Sequence, residues 1–314
     1  MESTLSVVLL VSILSVLFLS GAQAVTWSYL DDATGPNNWT AKYPGCGGMK
    51  QSPINIVTAD AVETDLGDFI LMGFGADDQP EGATMEVLNN GHVVEVAIEG
   101  DYLVSGADLG STAYKVVQFH FHWGSTNSQG SEHTLNGKQY PGEMHIVAYN
   151  TKYADFITSL DFEDGLTVLG FFIDVQAQDN SAFNELFDII SRIRFDGDED
   201  ALSTPLVFDN ILPSDRSTFY RYSGSLTTPT CNEIVTWNVF ATPIMLSEAQ
   251  LMELRDQYSN ERGAPANITL TDTFRPVQAL NGRQVYVNGA PGLCVSTSLV
   301  AMVVIKALAA VLVE

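Results

Sequence analysis

The chain has 314 residues, of which 38 are acidic and 14 basic, so its formal net charge is −24. This charge argues against nucleic acid as a partner, because phosphate binding needs a basic surface. The length suits one large domain with a substantial core between two apolar terminal segments.

The first 24 residues have the features of a signal peptide. Residues 7–19 are apolar apart from Ser12 and Ser15, and Ala22 and Ala24 form a small-x-small cleavage site. The apolar run is shorter than the roughly 20 residues that span a bilayer, which disfavours a membrane anchor here. We therefore predict cleavage after Ala24 and an extracellular protein, secreted or attached to the outer face of the plasma membrane.

Cysteine use agrees with this compartment, because disulfides persist in oxidising environments. Three cysteines allow three pairings, and we favour Cys46–Cys231, in the body of the domain, with Cys294 left beside the tail. Asn38 and Asn267 each begin an Asn-x-Thr sequon and are predicted glycosylation sites.

Most of the domain shows strand-like patterns, and helical periodicity is confined to residues 182–194 and 246–258, the second with Ser247 as N-cap. This predicts a mainly β domain with short surface helices and a central sheet, because helices are too few for repeated βαβ units. The predicted strands are residues 85–88, 92–98, 115–123, 143–149, 166–173, 234–241 and 284–287.

One predicted strand alternates polar and aromatic residues and carries two histidines. Gln118, His120 and His122 point to one face of it, and His145 lies in the next predicted strand. Three imidazole ligands with one open position are typical of a catalytic zinc. For His120 and His122 alone, ordinary polar residues on an exposed face are the alternative.

Two neighbouring polar residues are candidates for fixing these rings. Gln118 shares a strand face with His120, and Glu143 shares one with His145. Groups of this kind orient metal-bound imidazoles through hydrogen bonds. Zinc held by three neutral imidazoles would supply hydroxide near neutral pH.

A set of longer motifs resembles the α-class carbonic anhydrases. The motifs lie at residues 51–56, 89–92, 118–124, 131–134, 143–145 and 224–229. The similarity extends from Trp27 to Val287. It implies a catalytic domain at residues 25–289, with a large, twisted, mostly antiparallel sheet and a conical active-site cleft. It also implies zinc as cofactor and the reversible hydration of carbon dioxide to bicarbonate and a proton.

The resemblance implies roles for residues around the metal. Thr227 would accept a hydrogen bond from the attacking hydroxide and pass its own proton to Glu132, which orients the nucleophile. Thr228 would assist on the bicarbonate side. An apolar wall would hold carbon dioxide beside the metal. It would consist of Val147, Val168, Leu226, Val235 and Trp237, with Thr227 and Thr228 completing the substrate site.

The same resemblance makes His92 the proton shuttle, since an imidazole that titrates near neutral pH suits a relay. Tyr29 and Asn90 would order the waters between His92 and the metal. Glu95 departs from the Asn or Gln common in the family, and we expect its carboxylate to disturb those waters or to raise the pKa of His92. His133 would be a structural residue and no ligand.

The C-terminal segment, residues 290–314, is a hydrophobic tail. Its apolar run at 299–313 follows small residues and a short spacer, as in a glycosylphosphatidylinositol (GPI) anchor signal. Lys306 interrupts the run, so an amphipathic or disordered tail remains the alternative. In the extracellular branch of the family, the cysteine at position 231 pairs with one near the start of the domain, which implies the same Cys46–Cys231 bridge.

Two other functions compete with catalysis. Inactive carbonic-anhydrase-related binding proteins typically lack one or more zinc histidines, whereas all three are present here. The second competing function is that of an acidic matrix protein, since residues 196–200 and 163–164 could bind Ca²⁺ weakly. The alternative for these acidic stretches is a solvated surface. We expect a monomer.

Overall fold

The computed structural model describes residues 27–30 and 33–288. The predicted signal peptide and hydrophobic tail lie outside the described residues. Within this part of the chain, none of the helices has both the length and the apolar character needed to cross a bilayer.

A twelve-stranded sheet forms the centre of the molecule. Its strands are β2 (Val62–Glu63), β3 (Phe69–Met72), β4 (Thr84–Asn89), β5 (Val94–Glu99), β6 (Leu103–Gly106), β7 (Tyr114–Trp123), β9 (Gly142–Asn150), β10 (Leu166–Gln176), β11 (Glu199–Ala201), β12 (Phe219–Gly224), β13 (Val235–Ser247) and β14 (Tyr286–Asn288). The order is β11-β4-β5-β7-β9-β10-β13-β12-β14-β2. Off this path, β6 pairs with β7 on one side and with β3 on the other. Strands β1 (Asn55–Ile56) and β8 (Thr134–Leu135) form a separate parallel pair.

The predicted fold class is confirmed. Within the large sheet, the pairs β10–β13 and β14–β2 are parallel and the other described pairs are antiparallel. The helices are short and lie around the sheet. They are α1 (Trp39–Lys42), α2 (Phe156–Ser159), α3 (Asn184–Ile190), α4 (Phe208–Ile211) and α5 (Glu248–Arg255).

Both predicted helices exist but are shorter than expected. The first divides into a 3₁₀ turn, Ser181–Phe183, and α3. The second is α5, and Ser247 caps it as predicted, accepting the N–H of Gln250 while the Gln250 side chain accepts the N–H of Ser247. The two residues before α5 belong to β13, because their main chain still pairs with β10.

Strand β13 runs past its predicted end at Ala241, through Pro243. Its pairing with β10 shifts between Phe171, opposite Phe240, and Ile173, opposite Ile244. The extra residues on β13 form a bulge, and a bulge tolerates a proline because it needs no ladder donor there.

The strand predicted at residues 92–98 begins instead at Val94, which leaves His92 in the preceding turn. Asn90 Oδ1 accepts the N–H of His92 at 3.1 Å and that of Val93 at 2.9 Å. A side chain that takes these donors competes with the strand ladder. Gly91 supports the turn with a φ of +77°.

The face of the sheet opposite the histidines carries the main core. Phe119, Phe121 and Trp123 alternate with the histidines and are fully buried there. Phe171 belongs to the same core and stacks on Phe240 with ring centroids 4.4 Å apart.

We expect Phe171→Ala to lower the free energy of unfolding by about 3–5 kcal/mol, since it removes a buried ring and leaves a cavity. Urea denaturation measures this. Phe162 is 42% exposed, so Phe162→Ala is the control, with an expected change of about 0.5 kcal/mol. Equal losses in the two variants would contradict this placement of the core.

Candidate metal centre

Strand register brings the site together. His120 on β7 lies opposite His145 on β9, and His145 lies opposite Gly170 on β10. A Cβ at Gly170 would lie 3.2 Å from Glu143 Oε1, so a glycine here leaves room for that carboxylate. A second row on the same face runs across four strands. It consists of Gln118, Val147, Val168 and Trp237.

Each of the three imidazoles has one nitrogen held by an acceptor. The pairs are His120 Nδ1 with Gln118 Oε1 at 2.9 Å, His122 Nδ1 with the Thr273 carbonyl at 2.5 Å, and His145 Nε2 with Glu143 Oε1 at 2.7 Å. Because an acceptor requires N–H at these nitrogens, the opposite ring nitrogens carry lone pairs. These partners thus assign the tautomers.

The three histidines lie close enough together to share one metal ion. Side-chain ligand atoms of His120, His122 and His145 lie within 4.8 Å of each other, and the Nε2 atoms of His120 and His122 are 3.1 Å apart. Two lone pairs at this distance repel each other, and a cation between them would remove the repulsion. Burial lowers the pKa of His120 and His122, which favours the neutral rings that bind metals.

A buried carboxylate completes this arrangement. Glu132 Oε2 lies 3.4 Å from His122 Nε2 and 3.9 Å from His145 Nδ1, and it has no hydrogen-bond partner within the described residues. Three neutral imidazoles with one unsatisfied carboxylate beside them fit Zn²⁺ with an open position.

His133 stays a predicted structural residue. Its Nδ1 lies 2.7 Å from Glu143 Oε1 and its Nε2 lies 2.6 Å from the Tyr222 hydroxyl, so both ring nitrogens have partners. Burial alone would raise the pKa of Glu143, but the imidazoles of His133 and His145 lower it well below its ordinary value. Glu143 therefore stays ionised and holds both rings.

The implied relay from Thr227 to Glu132 is not formed as a hydrogen bond in the described residues. Glu132 Oε1 accepts the N–H of Arg275 at 2.9 Å, and Oε2 is without a partner. Thr227 is 6% exposed. The ring nitrogens facing Oε2 carry lone pairs and cannot donate, so a hydroxyl is the kind of donor that this oxygen still lacks.

The predicted apolar wall lies beside His145. Val147, Val168, Val235 and Trp237 are buried in one cluster, and the partly exposed Leu226 packs against it. The Trp237 ring lies 4.8 Å from the His145 ring, and its Nε1 donates to the Ser225 carbonyl. Thr228 is partly exposed in the same segment as Thr227.

His92 stays a predicted proton shuttle. Its ring stacks on Trp27 at 3.8 Å, and burial lowers the pKa of His92 to about 4. Glu95 does not raise the pKa of His92 as expected. Burial raises the pKa of Glu95 itself to about 7, against an opposing hydrogen bond from Asn90, so Glu95 carries only part of a charge near neutrality.

Tyr29 and Asn90, the two residues predicted to order water, have different surroundings. The Tyr29 ring lies 6.5 Å from the His122 ring, and its buried hydroxyl has no hydrogen-bond partner among the described residues. Burial raises the pKa of Tyr29 well above its ordinary value, so it stays a donor. Asn90 uses its oxygen in the turn and directs its amide nitrogen to Glu95, 3.3 Å away.

Sequence reasoning missed two supporting groups. One is the Thr273 carbonyl behind His122, and the other is Arg275, which is 3% exposed and donates to Gln51 and to the Cys46 carbonyl. A main-chain oxygen has no sequence signal, and these contacts join segments more than 140 residues apart.

The predicted disulfide Cys46–Cys231 is present, with Cα atoms 4.9 Å apart. The Cys231 N–H donates to the Thr228 carbonyl, so the bridge lies next to the predicted substrate segment. Asn38 and Asn267 are both exposed, and their glycosylation stays a prediction.

The acidic stretches do not form a metal site within the described residues. Asp198 pairs with Arg262 and Asp164 pairs with Lys152. The described groups of three or more potential ligands consist of His120, His122, His133, Glu143 and His145 alone. Calcium binding therefore stays a prediction without structural support.

Comparison with known proteins gives a consistent result. The model of the family "Eukaryotic-type carbonic anhydrase" matches residues 34–289. Human carbonic anhydrase 6 is 35% identical over 285 residues, which cover 89% of each chain. Rat carbonic anhydrase 4 is 35% identical over 86% of this chain and 85% of its own length. Human carbonic anhydrase 12 is 35% identical over 83% of this chain and 72% of its own.

Proposed function

The chain belongs to the eukaryotic-type carbonic anhydrase family, and we propose that it is an active zinc enzyme that reversibly hydrates carbon dioxide to bicarbonate and a proton. One observation carries the proposal. Three imidazoles, two of them buried and one partly exposed, are each held through one nitrogen, and their ligand atoms lie within 4.8 Å of one another beside an unsatisfied carboxylate oxygen.

Different residues around this site would bind the metal, orient the nucleophile and hold the substrate. Zinc, when bound to His120, His122 and His145, would supply hydroxide at neutral pH. The Thr227 hydroxyl would accept a hydrogen bond from the attacking nucleophile and would donate its own proton to Glu132 Oε2, so that a lone pair of the nucleophile is directed at the substrate carbon. The apolar wall around Trp237 holds carbon dioxide, and Thr228 contacts bicarbonate.

The proton then leaves through Glu95 in this proposal. A relay works best when its pKa is near the working pH, and the pKa of Glu95 is about 7. Glu95 also lies opposite His120 in the pairing of β5 with β7, whereas the His92 ring stacks on Trp27. Asn90 holds the Glu95 carboxylate by its amide.

We expect Glu95→Gln to slow proton release by about 100-fold, and His92→Ala to slow it by less than about tenfold. Release should rise with pH through about 7 in the wild type, because Glu95 accepts a proton only when ionised. Oxygen-18 exchange, which separates proton release from carbon dioxide interconversion, measures both. Added imidazole should restore Glu95→Gln. If His92→Ala slowed proton release more than Glu95→Gln did, His92 would be the proton relay instead.

We also propose that the protein passes through the secretory pathway and acts outside the cell as a monomer, with no nucleic-acid partner. The Cys46–Cys231 disulfide supports this location, because such bonds persist in oxidising compartments. A C-terminal GPI tether remains a proposal. Release from expressing cells by a phosphoinositide-specific phospholipase tests it, and failure of release would contradict it.

The catalytic proposal is tested by oxygen-18 exchange from labelled bicarbonate, before and after treatment with a zinc chelator. We expect rapid exchange that the chelator abolishes and that added Zn²⁺ restores. Protein with a full complement of zinc but no exchange would contradict the proposal and indicate an inactive relative.

A further inference from the structure

Strand β3 has a free edge. Among the described residues it pairs with β6 alone. The Ala107 N–H donates to the Asp68 carbonyl, and bonded pairs alternate along an antiparallel ladder. Ile70 and Met72 therefore direct their main-chain groups to β6, whereas Phe69 and Leu71 direct theirs away from it. This leaves a short row of main-chain donors and acceptors that another strand can use.

The side chains beside this edge are unusually apolar for a surface. Ile70 is 58% exposed and Met72 is 52% exposed, and they lie two residues apart on the same face. Proteins usually protect an open edge with charges, prolines or a covering segment. A free edge flanked by exposed apolar residues is thus a feature of a binding surface.

An acidic groove continues from the end of β3. It has a volume of about 420 Å³, and Met72 and Pro80 line it together with Asp78, Glu81 and Asp101. Lys115 Nζ lies 2.8 Å from Asp101, but one lysine does not balance three carboxylates.

We propose that β3 and this groove bind an extended, basic segment of a partner protein. The segment adds a strand along Phe69 and Leu71, covers Ile70 and Met72 with alternate side chains, and places a lysine or arginine in the groove. Charge favours such a partner over a second copy, because another copy would bring a net charge of −24 to an acidic surface.

Fluorescence anisotropy with a labelled model peptide, Lys-Val-Thr-Val-Thr-Val-Lys-Arg, tests the proposal on the purified protein. We expect saturable binding that weakens with added salt. A peptide with glutamate in place of its lysines and arginine should not bind, nor should one with a central proline, which lacks the ladder donor.

Matched variants locate the binding surface. Met72→Lys and Glu81→Lys should each weaken binding by about tenfold or more, equivalent to about 1.4 kcal/mol. Met252 is 46% exposed on α5, so Met252→Lys is the control and should bind as the wild type does. Carbon dioxide hydration should be unchanged in Met72→Lys.

Three results would overturn the proposal. One is an absence of saturable binding by the basic peptide, and another is equal binding of the acidic peptide. The third is a dimer in sedimentation experiments that Met72→Lys converts to monomer, since a second copy would then be the occupant of this edge.

Discussion

His145→Ala is expected to reduce zinc-dependent carbon dioxide hydration by more than about 100-fold. Loss of a group that only orients a ligand typically costs 10–100-fold, roughly, in metal affinity or activity, and His145 is proposed as a ligand itself. Its Nδ1 is free to bind metal because Glu143 holds Nε2. Zinc content by atomic absorption and hydration by stopped-flow spectrophotometry measure the effect.

The control for this variant is Gln118→Ala, which removes only the acceptor behind His120. It should lose zinc affinity by about 10–100-fold and recover activity when excess zinc is added. Urea denaturation of zinc-free protein separates loss of metal from loss of folding. A His145→Ala variant that folds, keeps zinc and retains activity within about tenfold would contradict the proposed ligand set.

Thr227→Val is expected to lower turnover by about 100-fold with little change in zinc content. Misplacement of a reacting group by about 1 Å can cost this much, and valine keeps the shape of threonine while removing its hydroxyl. The side chain at position 227 could then not donate to Glu132 Oε2 during the reaction. Stopped-flow hydration at full zinc occupancy measures the change.

Thr227→Ser keeps a hydroxyl and is the control, with turnover expected within about tenfold of the wild type. Glu132→Gln should resemble Thr227→Val, because an amide at Oε2 can donate where the carboxylate must accept. If Thr227→Val turned over at the wild-type rate, the orienting role of the hydroxyl would be wrong.

Local patterns made the centre of the site predictable. Alternation along β7 places His120 and His122 on one face, and the same rule applied to β9 pairs Glu143 with His145. Each of these relations spans two residues, so it depends on strand geometry alone. The Ser247 cap of α5 was also predictable, because a helix N-cap is a local sequence signal.

Other features depend on contacts that a local pattern does not contain. The pKa values of His92 and Glu95 follow from their burial, and stacking on Trp27 joins His92 to a residue 65 positions earlier. The Thr273 carbonyl behind His122 is main chain and could be any residue type. The length of β13 depends on its bulge against β10.

The most direct test of the catalytic account is the initial rate of carbon dioxide hydration as Zn²⁺ is titrated into metal-free protein. We expect the rate to rise linearly with zinc and to stop rising at one zinc per chain, because one set of three free imidazole nitrogens is proposed to hold it. A rate that stays at the uncatalysed level after one zinc has bound to these histidines would contradict the account.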